Sequence, residues 1–433
     1  MSFLLVISFF TLFFGTNPFL FITLMVGFWF YFQLSHLSYF VSNLNFLYFC
    51  DELSFFMVYM TVFVLFTSFM YSLYLQPGLK INMVYILMLV FCVGVFTTSN
   101  LFSFIFIYEC SLLPILYIII KWGSYPERSM SAVMLLVYTS VFTFPFIAVM
   151  FTIYSLLGSF LFMAPFTAQS FNVGPLMSII IFFTFSVKLP IYGLHFWLPM
   201  AHVEAPTFGS MILAGILLKL GGVGLIRCTD YMDVVFLKDT LFGYLMVFLV
   251  YSTLVCAFQS DFKRLVAYSS VSHMMAVPLL YLSNTIISLK SLLMIMLFHG
   301  LSSPVLFMIV GVLYSMFSTR QLIMIRGIML LSPLLSFLMI VAFFFTMSAP
   351  PFPSFVAEVY FMISCFYISP MLLYSFLFFT FLSLVYNLNW LTSMIFSSST
   401  SSTLTFNLTF SSFMPLVLSF FFCIPLSLLF YMM

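Results

Sequence analysis

The sequence predicts an all-α polytopic membrane protein of about 14 transmembrane helices, with two inverted five-helix repeats and broken seventh and twelfth helices. Three observations carry this. First, only 5% of the 433 residues are charged and 64% are hydrophobic, whereas a soluble domain carries about a quarter charged. Second, apolar runs of about 20 residues, enough to cross a hydrocarbon layer about 30 Å thick, follow one another with short polar interruptions. Third, the few ionisable residues inside these runs gather beside prolines. The runs are continuous rather than alternating, which excludes a membrane β-barrel and leaves helices to satisfy the backbone in lipid.

Taken in order, the predicted spans are 2–14, 18–34, 53–75, 83–99, 100–120, 130–157, 176–197, 207–227, 241–258, 265–283, 287–316, 328–368, 370–391 and 413–432. They form a single transmembrane domain over 1–433: N-terminal helices at 1–75, a first repeat at 83–227, a second at 241–391, and a loop and C-terminal helix at 392–433. The first run, MSFLLVISFFTLFF, has neither the basic leader of a secretory signal nor the Arg-rich pattern of a transit peptide. Its retention is therefore expected. The twelfth span is too long for one straight pass and contains SAPPFPS at 348–354. It reads as a helix broken within the membrane; two separate passes would invert everything after it. The stretch SSSTSST at 397–403 reads as an exposed loop.

Orientation follows the lysines and arginines of short connections. Connections after odd-numbered spans hold Lys80, Lys121, Arg128, Lys263, Arg264, Arg320 and Arg326, and those after even-numbered spans hold Arg227, Lys238 and Lys290. The bias puts the odd connections on the inner side and both termini on the outer side.

The composition also excludes chemistry. The seven cysteines have no CxxC pair and no histidine cluster, so iron-sulfur and zinc ligand spacings are missing. Gly221, Gly222 and Gly224 follow a helix core rather than a strand, so they are not a nucleotide loop. No cofactor and no metal is expected on this chain, nor any nucleic-acid partner.

Four ionisable residues fall well inside predicted spans: Glu109 in FIYECSLLP, Lys188 in FSVKLP, Lys219 in ILLKLGG and Glu358 in SFVAEVYF. Each costs about 2.5 to 3.5 kcal/mol at a helix centre on insertion scales. His273 in YSSVSHM and His299 in LFHGLSSP also sit deep, with serine neighbours. Any one of these could be a structural ion pair or a satisfied interhelical hydrogen bond. Two acids, two lysines and two histidines together read as a hydrated proton relay, the default for intramembrane titratable chains. Desolvation favours the neutral form of a lysine or carboxylate and an opposite charge the ionised form, so Glu109 within reach of Lys188 could switch that lysine.

The breaks follow the same logic. Pro190 lies two residues after Lys188, and Pro350, Pro351 and Pro353 lie just before Glu358, each removing a backbone donor and loosening a helix where water can enter. Lys188 and Glu358 are 170 positions apart and separated by an odd number of spans, so their halves run oppositely across the membrane. Interrupted helices at corresponding places of an inverted repeat point to a transport site. The same offset sets Lys219 against Asn389.

The block LHFWLPMAHVEAPTFGSMILAGILLKLGG, with YECSLLP, KWGSYPERSMSA, DFKRLVAYSSVSHM and HGLSSPVLF, resembles the subunit 4 family of mitochondrial NADH-ubiquinone oxidoreductase, respiratory complex I. The resemblance runs in order from about residue 105 to 390; outside it only hydropathy matches. It implies an antiporter-like membrane-arm subunit in which Glu109, Lys188, Lys219, His273, His299 and Glu358 carry protons, driven by quinone reduction elsewhere. It further implies FMN and iron-sulfur clusters on partner subunits, neighbouring subunits 2 and 5, lipid contacts, and a multi-pass location in the mitochondrial inner membrane. The termini then face the intermembrane space and the inner side is the matrix. The 64 phenylalanines and 32 methionines fit a T-rich organellar gene. Met200 stands where that family usually has lysine. His195, His202 and Glu204 match the family block and are assigned, with Pro190, Pro350 and Pro351, to shaping the broken segments and their mouth rather than to the relay. The competing readings are an Mrp-like cation/proton antiporter and a purely structural scaffold.

Overall fold

The computed structural model of the chain describes residues 51–75, 81–160, 162, 174–350, 352–368, 370–396 and 417. The spans predicted at 2–14, 18–34 and, Val417 apart, 413–432 lie outside these residues, as do Lys80, Pro351 and the loop at 397–403. Described elements are α1 (Glu52–Leu75), α2 (Asn82–Thr97), α3 (Leu101–Cys110), α4 (Leu112–Trp122), α5 (Arg128–Leu157), α6 (Pro175–Ser186), α7 (Trp197–Glu204) and α8 (Thr207–Ile212). A π-helical turn, Leu213–Leu217, joins α8 to α9 (Leu218–Arg227). Then come α10 (Val234–Ala257), α11 (Phe262–Ser283), α12 (Ile286–Phe317), α13 (Ile328–Leu331), α14 (Pro333–Thr346), α15 (Pro353–Ile368) and α16 (Pro370–Phe396).

The helices are apolar enough that hydroxyls must find partners in their own backbone. Thr61, Ser68, Thr184, Ser252, Ser270 and Ser364 each donate to the carbonyl three residues earlier. Helix ends follow side-chain chemistry: Thr285 and Ser288 form a capping box on α12, and Asp233 accepts from the Phe236 amide at 3.2 Å to start α10.

Each repeat breaks its fourth member. In the first, α6 and α7 have 12 and 8 residues and are separated by 187–196. In the second, α14 and α15 have 14 and 16 residues and are separated by 347–352. None of these pieces reaches the roughly 17 residues a crossing needs, so each pair makes one interrupted pass. Two expectations change here. The segment HFWLPMAHVEAP, assigned to shaping the broken segment and its mouth, contains the half-helix α7, which continues the broken pass to Glu204. The offset of 170 also fails in register: Lys188 follows its first half-helix, within the break, whereas Glu358 lies beyond its break, inside α15. Asn389, its supposed counterpart of Lys219, is exposed; Asn387 is the buried amide and donates to Ser383 O at 2.9 Å.

The centre of the molecule is α12, which packs against α1, α8, α11, α14 and α15. Within their most apolar stretches α12 is 89% buried and α16 only 28%. His299 midway along α12 and Lys219 beside it are therefore enclosed by protein, and α16 presents its apolar residues outward.

Candidate functional site

Two groups of charges occupy the core. In the first, the α6–α7 break places Lys188, 2% exposed, with Nζ 4.0 Å from Glu109 Oε1 on α3. The same Nζ donates to Tyr108 O at 3.3 Å and stands 3.0 Å from the centre of the Tyr108 ring. That ring packs on Phe104 and Phe185. Glycines of α9 serve this packing: a Cβ on Gly224 would collide with the Phe185 ring and one on Gly221 with Phe185 O, so only glycine lets α9 approach α6 this closely. The break itself is closed by Trp197 Nε1, which donates to Val187 O at 3.0 Å.

In the second group, Lys219 is fully buried on the first turn of α9. Its Nζ lies 2.8 Å from His299 Nδ1 and donates to Ala214 O of the π turn. The π turn thus sets both the rotation of Lys219 and one of its acceptors. A Cβ on Gly300 would collide with Met60 Sδ and press on Lys219 Cε at 3.3 Å, so glycine here lets α1 and the lysine stem pack against α12. The His299 and His273 rings are 6.2 Å apart, centre to centre. A cavity of ≈ 40 Å³ joins them to Glu358 and is also lined by Ser302, Ser348 and Ser354. Its size admits roughly three waters, and its lining supplies their polar partners. At its far end Ser348 Oγ donates to Glu358 Oε1 at 2.6 Å, from a backbone at φ 53° in the left-handed region.

All six sequence-predicted relay residues therefore lie in these two groups, and no hydrogen bond or ion pair joins the groups directly among the described residues. The supporting residues behave differently from one another. His195 stacks between Tyr192 and Phe196. His202, assigned to the mouth, is instead fully buried and stacks on Phe307 at 4.9 Å, with neither ring nitrogen hydrogen-bonded among the described residues. Glu204 ends α7, buried, with Oε2 unpartnered. Pro190 lies in the first break and Pro350 in the second, as the sequence predicts; Pro351 is outside the described residues.

Sequence reasoning missed Tyr108, Ser348, the π turn and a clamp on α7. Lys263, counted as a loop charge, is 1% exposed and donates to Val203 O at 3.1 Å and Ala205 O at 2.5 Å. Arg320 adds a bond to Val203 O at 3.3 Å. Two cations from the second repeat thereby satisfy the last carbonyls of a half-helix in the first, where the helix dipole favours positive charge. Arg227 does the same for α2, donating to Phe96 O and Thr98 O at 2.7 and 2.9 Å. A lysine on the first turn of an apolar helix has no periodic signature to separate it from an exposed anchor.

Comparison with known proteins adds an independent line. Residues 98–383 match the family described as NADH:quinone oxidoreductase/Mrp antiporter, transmembrane. NADH-ubiquinone oxidoreductase chain 4 of Albinaria caerulea is 35% identical over 76% of this chain and 75% of its own length. The same-named chain of Struthio camelus is 36% identical over 64% of this chain; the match spans 62% of that protein's length. Among solved structures, a chain of respiratory complex I from Thermus thermophilus superposes with a TM-score of 0.86 over 98% of this chain and 94% of its own, at 20% identity. A chain of the Mrp complex from Dietzia sp. superposes at 0.80 over 93% of this chain and 80% of its own, at 15% identity. At such identities the likeness is one of fold.

Proposed function

The chain belongs to the NADH:quinone oxidoreductase/Mrp antiporter transmembrane family, and from that premise we propose that it is a proton-translocating antiporter-like subunit of an NADH:ubiquinone oxidoreductase. One observation carries the reading: Lys219, His299, His273 and Glu358 follow one another through close contact, ring approach and a shared cavity with serines in its largely apolar wall. Structural ion pairs have no need of such a row. Lys188 in the neighbouring broken helix, paired with Glu109 on α3, is the switchable charge.

In this reading protons pass between Lys219, the two histidines and Glu358, while displacement of Glu109 from Lys188 alters the field on Lys219. Carrying one charge across costs about 2.3 kcal/mol per 100 mV, so the work is supplied by quinone reduction elsewhere. FMN and iron-sulfur clusters reside on partner subunits, and the membrane neighbours are subunits 2 and 5. The location is the mitochondrial inner membrane, with both termini toward the intermembrane space, as the distribution of basic residues supports.

The test uses the assembled complex. Lys219→Ala or Glu109→Ala is expected to lower proton pumping and coupled quinone reductase turnover at least tenfold while assembly persists. Full pumping by either variant overturns the relay. The Mrp-like reading rests on shared fold and predicts sodium-dependent exchange by the isolated protein. Co-purification with flavin- and cluster-bearing subunits supports the first reading against it.

A further inference from the structure

We infer that Tyr108 is a second seat for the Lys188 ammonium, a positioning residue whose ring face and main-chain carbonyl hold the charged lysine when Glu109 moves away. The inference rests on the relay reading above and names a residue that reading does not use.

Lys188 has one carboxylate partner among the described residues, and at 4.0 Å that pair is at the limit of contact. Its two participants are unlike. The Glu109 side chain is 33% exposed and faces the flank of the bundle, whereas Lys188 is 2% exposed and enclosed. Glu109 can therefore swing outward, and Lys188 cannot follow. What remains beside Nζ is Tyr108, with the ring centre at 3.0 Å and the carbonyl at 3.3 Å. An aromatic face attracts a cation through its quadrupole, most strongly where water is excluded. Tyr108 is 1% exposed.

The seat is rigid. Phe104 stacks on the Tyr108 ring with centres 5.8 Å apart, and Phe185 meets it edge-on at 5.8 Å. Phe185 is in turn held by Phe146. The Tyr108 hydroxyl is buried and has no hydrogen-bond partner among the described residues, so the ring face, and not the hydroxyl, does the holding. A ring face also discriminates between protonation states, because its attraction for a neutral amine is far weaker than for an ammonium. Tyr108 therefore keeps Lys188 in place while it is charged and ceases to hold it once the charge is gone.

Tyr108→Phe keeps the face and loses the hydroxyl; Tyr108→Met keeps bulk and loses the face. In the assembled complex, Tyr108→Phe is expected to pump protons within about twofold of the unaltered chain. Tyr108→Met is expected to lose about tenfold, the equivalent of one desolvated cation–π contact. Because Tyr108 and Glu109 hold the same ammonium, their effects must couple: Glu109→Gln does more damage in the Tyr108→Met background than alone. If Tyr108→Met does not assemble, Tyr108→Leu takes its place in the same cycle. Equal pumping by the Phe and Met variants, with additivity toward Glu109→Gln, overturns the inference. Lys188→Met in the same complex separates the two ideas, since full pumping there sinks the relay reading itself.

Discussion

The two charge groups of this chain hold buried ions in opposite ways. Around Lys188 the protein supplies one carboxylate, one carbonyl and an aromatic face, packed against phenylalanines. Around His299 and Glu358 it supplies a cavity of ≈ 40 Å³ with histidines and serines in its wall. A charge in a packed aromatic site is governed by which neighbour it faces, because nothing else is there to solvate it. A charge beside a polar cavity can exchange protons through whatever water the cavity admits. The first geometry suits a switch and the second a conduit. The lesson is that two broken helices of one inverted repeat need not do the same work.

Three perturbations sharpen or break this contrast. The largest effect is expected from Ala357→Leu, which pushes three carbons toward the cavity between His299 and Glu358. Overpacking of this kind costs about 1 to 3 kcal/mol, and proton pumping should fall at least tenfold in complex that still assembles. Unchanged pumping would remove the cavity from the route and with it the contrast drawn above.

Next is Lys263→Met, which leaves Val203 O and Ala205 O at the end of α7 without their buried donor. An unsatisfied buried acceptor costs about 1 to 3 kcal/mol. Thermal inactivation of the complex should therefore begin several degrees lower, with turnover reduced a few-fold. Lys263→Arg should recover part of both. If Lys263→Met shows no thermal change, the clamp does not couple the two repeats.

The smallest effect belongs to Ser348→Gly. It removes the hydroxyl that donates to Glu358 while relieving the positive φ at that position. One such hydrogen bond is worth about 0.5 to 1.5 kcal/mol net, so pumping should fall about twofold with stability nearly unchanged. A larger loss would mean that the serine also conducts.

Much of this was legible in sequence for specific reasons. Lys188 and Glu358 stood out because ionisable residues are costly in lipid and each lay beside proline. Lys219, His273 and His299 stood out because they interrupt apolar runs. The clamp and the aromatic seat did not, since a lysine at a helix start reads as an anchor and a tyrosine in an apolar run reads as core. Even the α7 half-helix was hidden: its proline and its polar residues imitate a turn, yet its last carbonyls find donors in Lys263 and Arg320, far along the chain.

The sequence by itself determined that this chain lives in a membrane, that it is helical, which residues carry buried charge, and where two helices must break. Those are consequences of local cost: each apolar run, each proline and each intramembrane ion has its meaning within a few residues. Only the tertiary structure decided which charges meet. The Lys219–His299 contact spans 80 positions, as does the bond from Lys188 to Tyr108 O. The cavity draws its wall from α11, α12, α14, α15 and α16. Contacts of that kind depend on helix rotation and on close approach at glycine and at a π turn, quantities that a one-dimensional pattern of hydrophobicity does not contain.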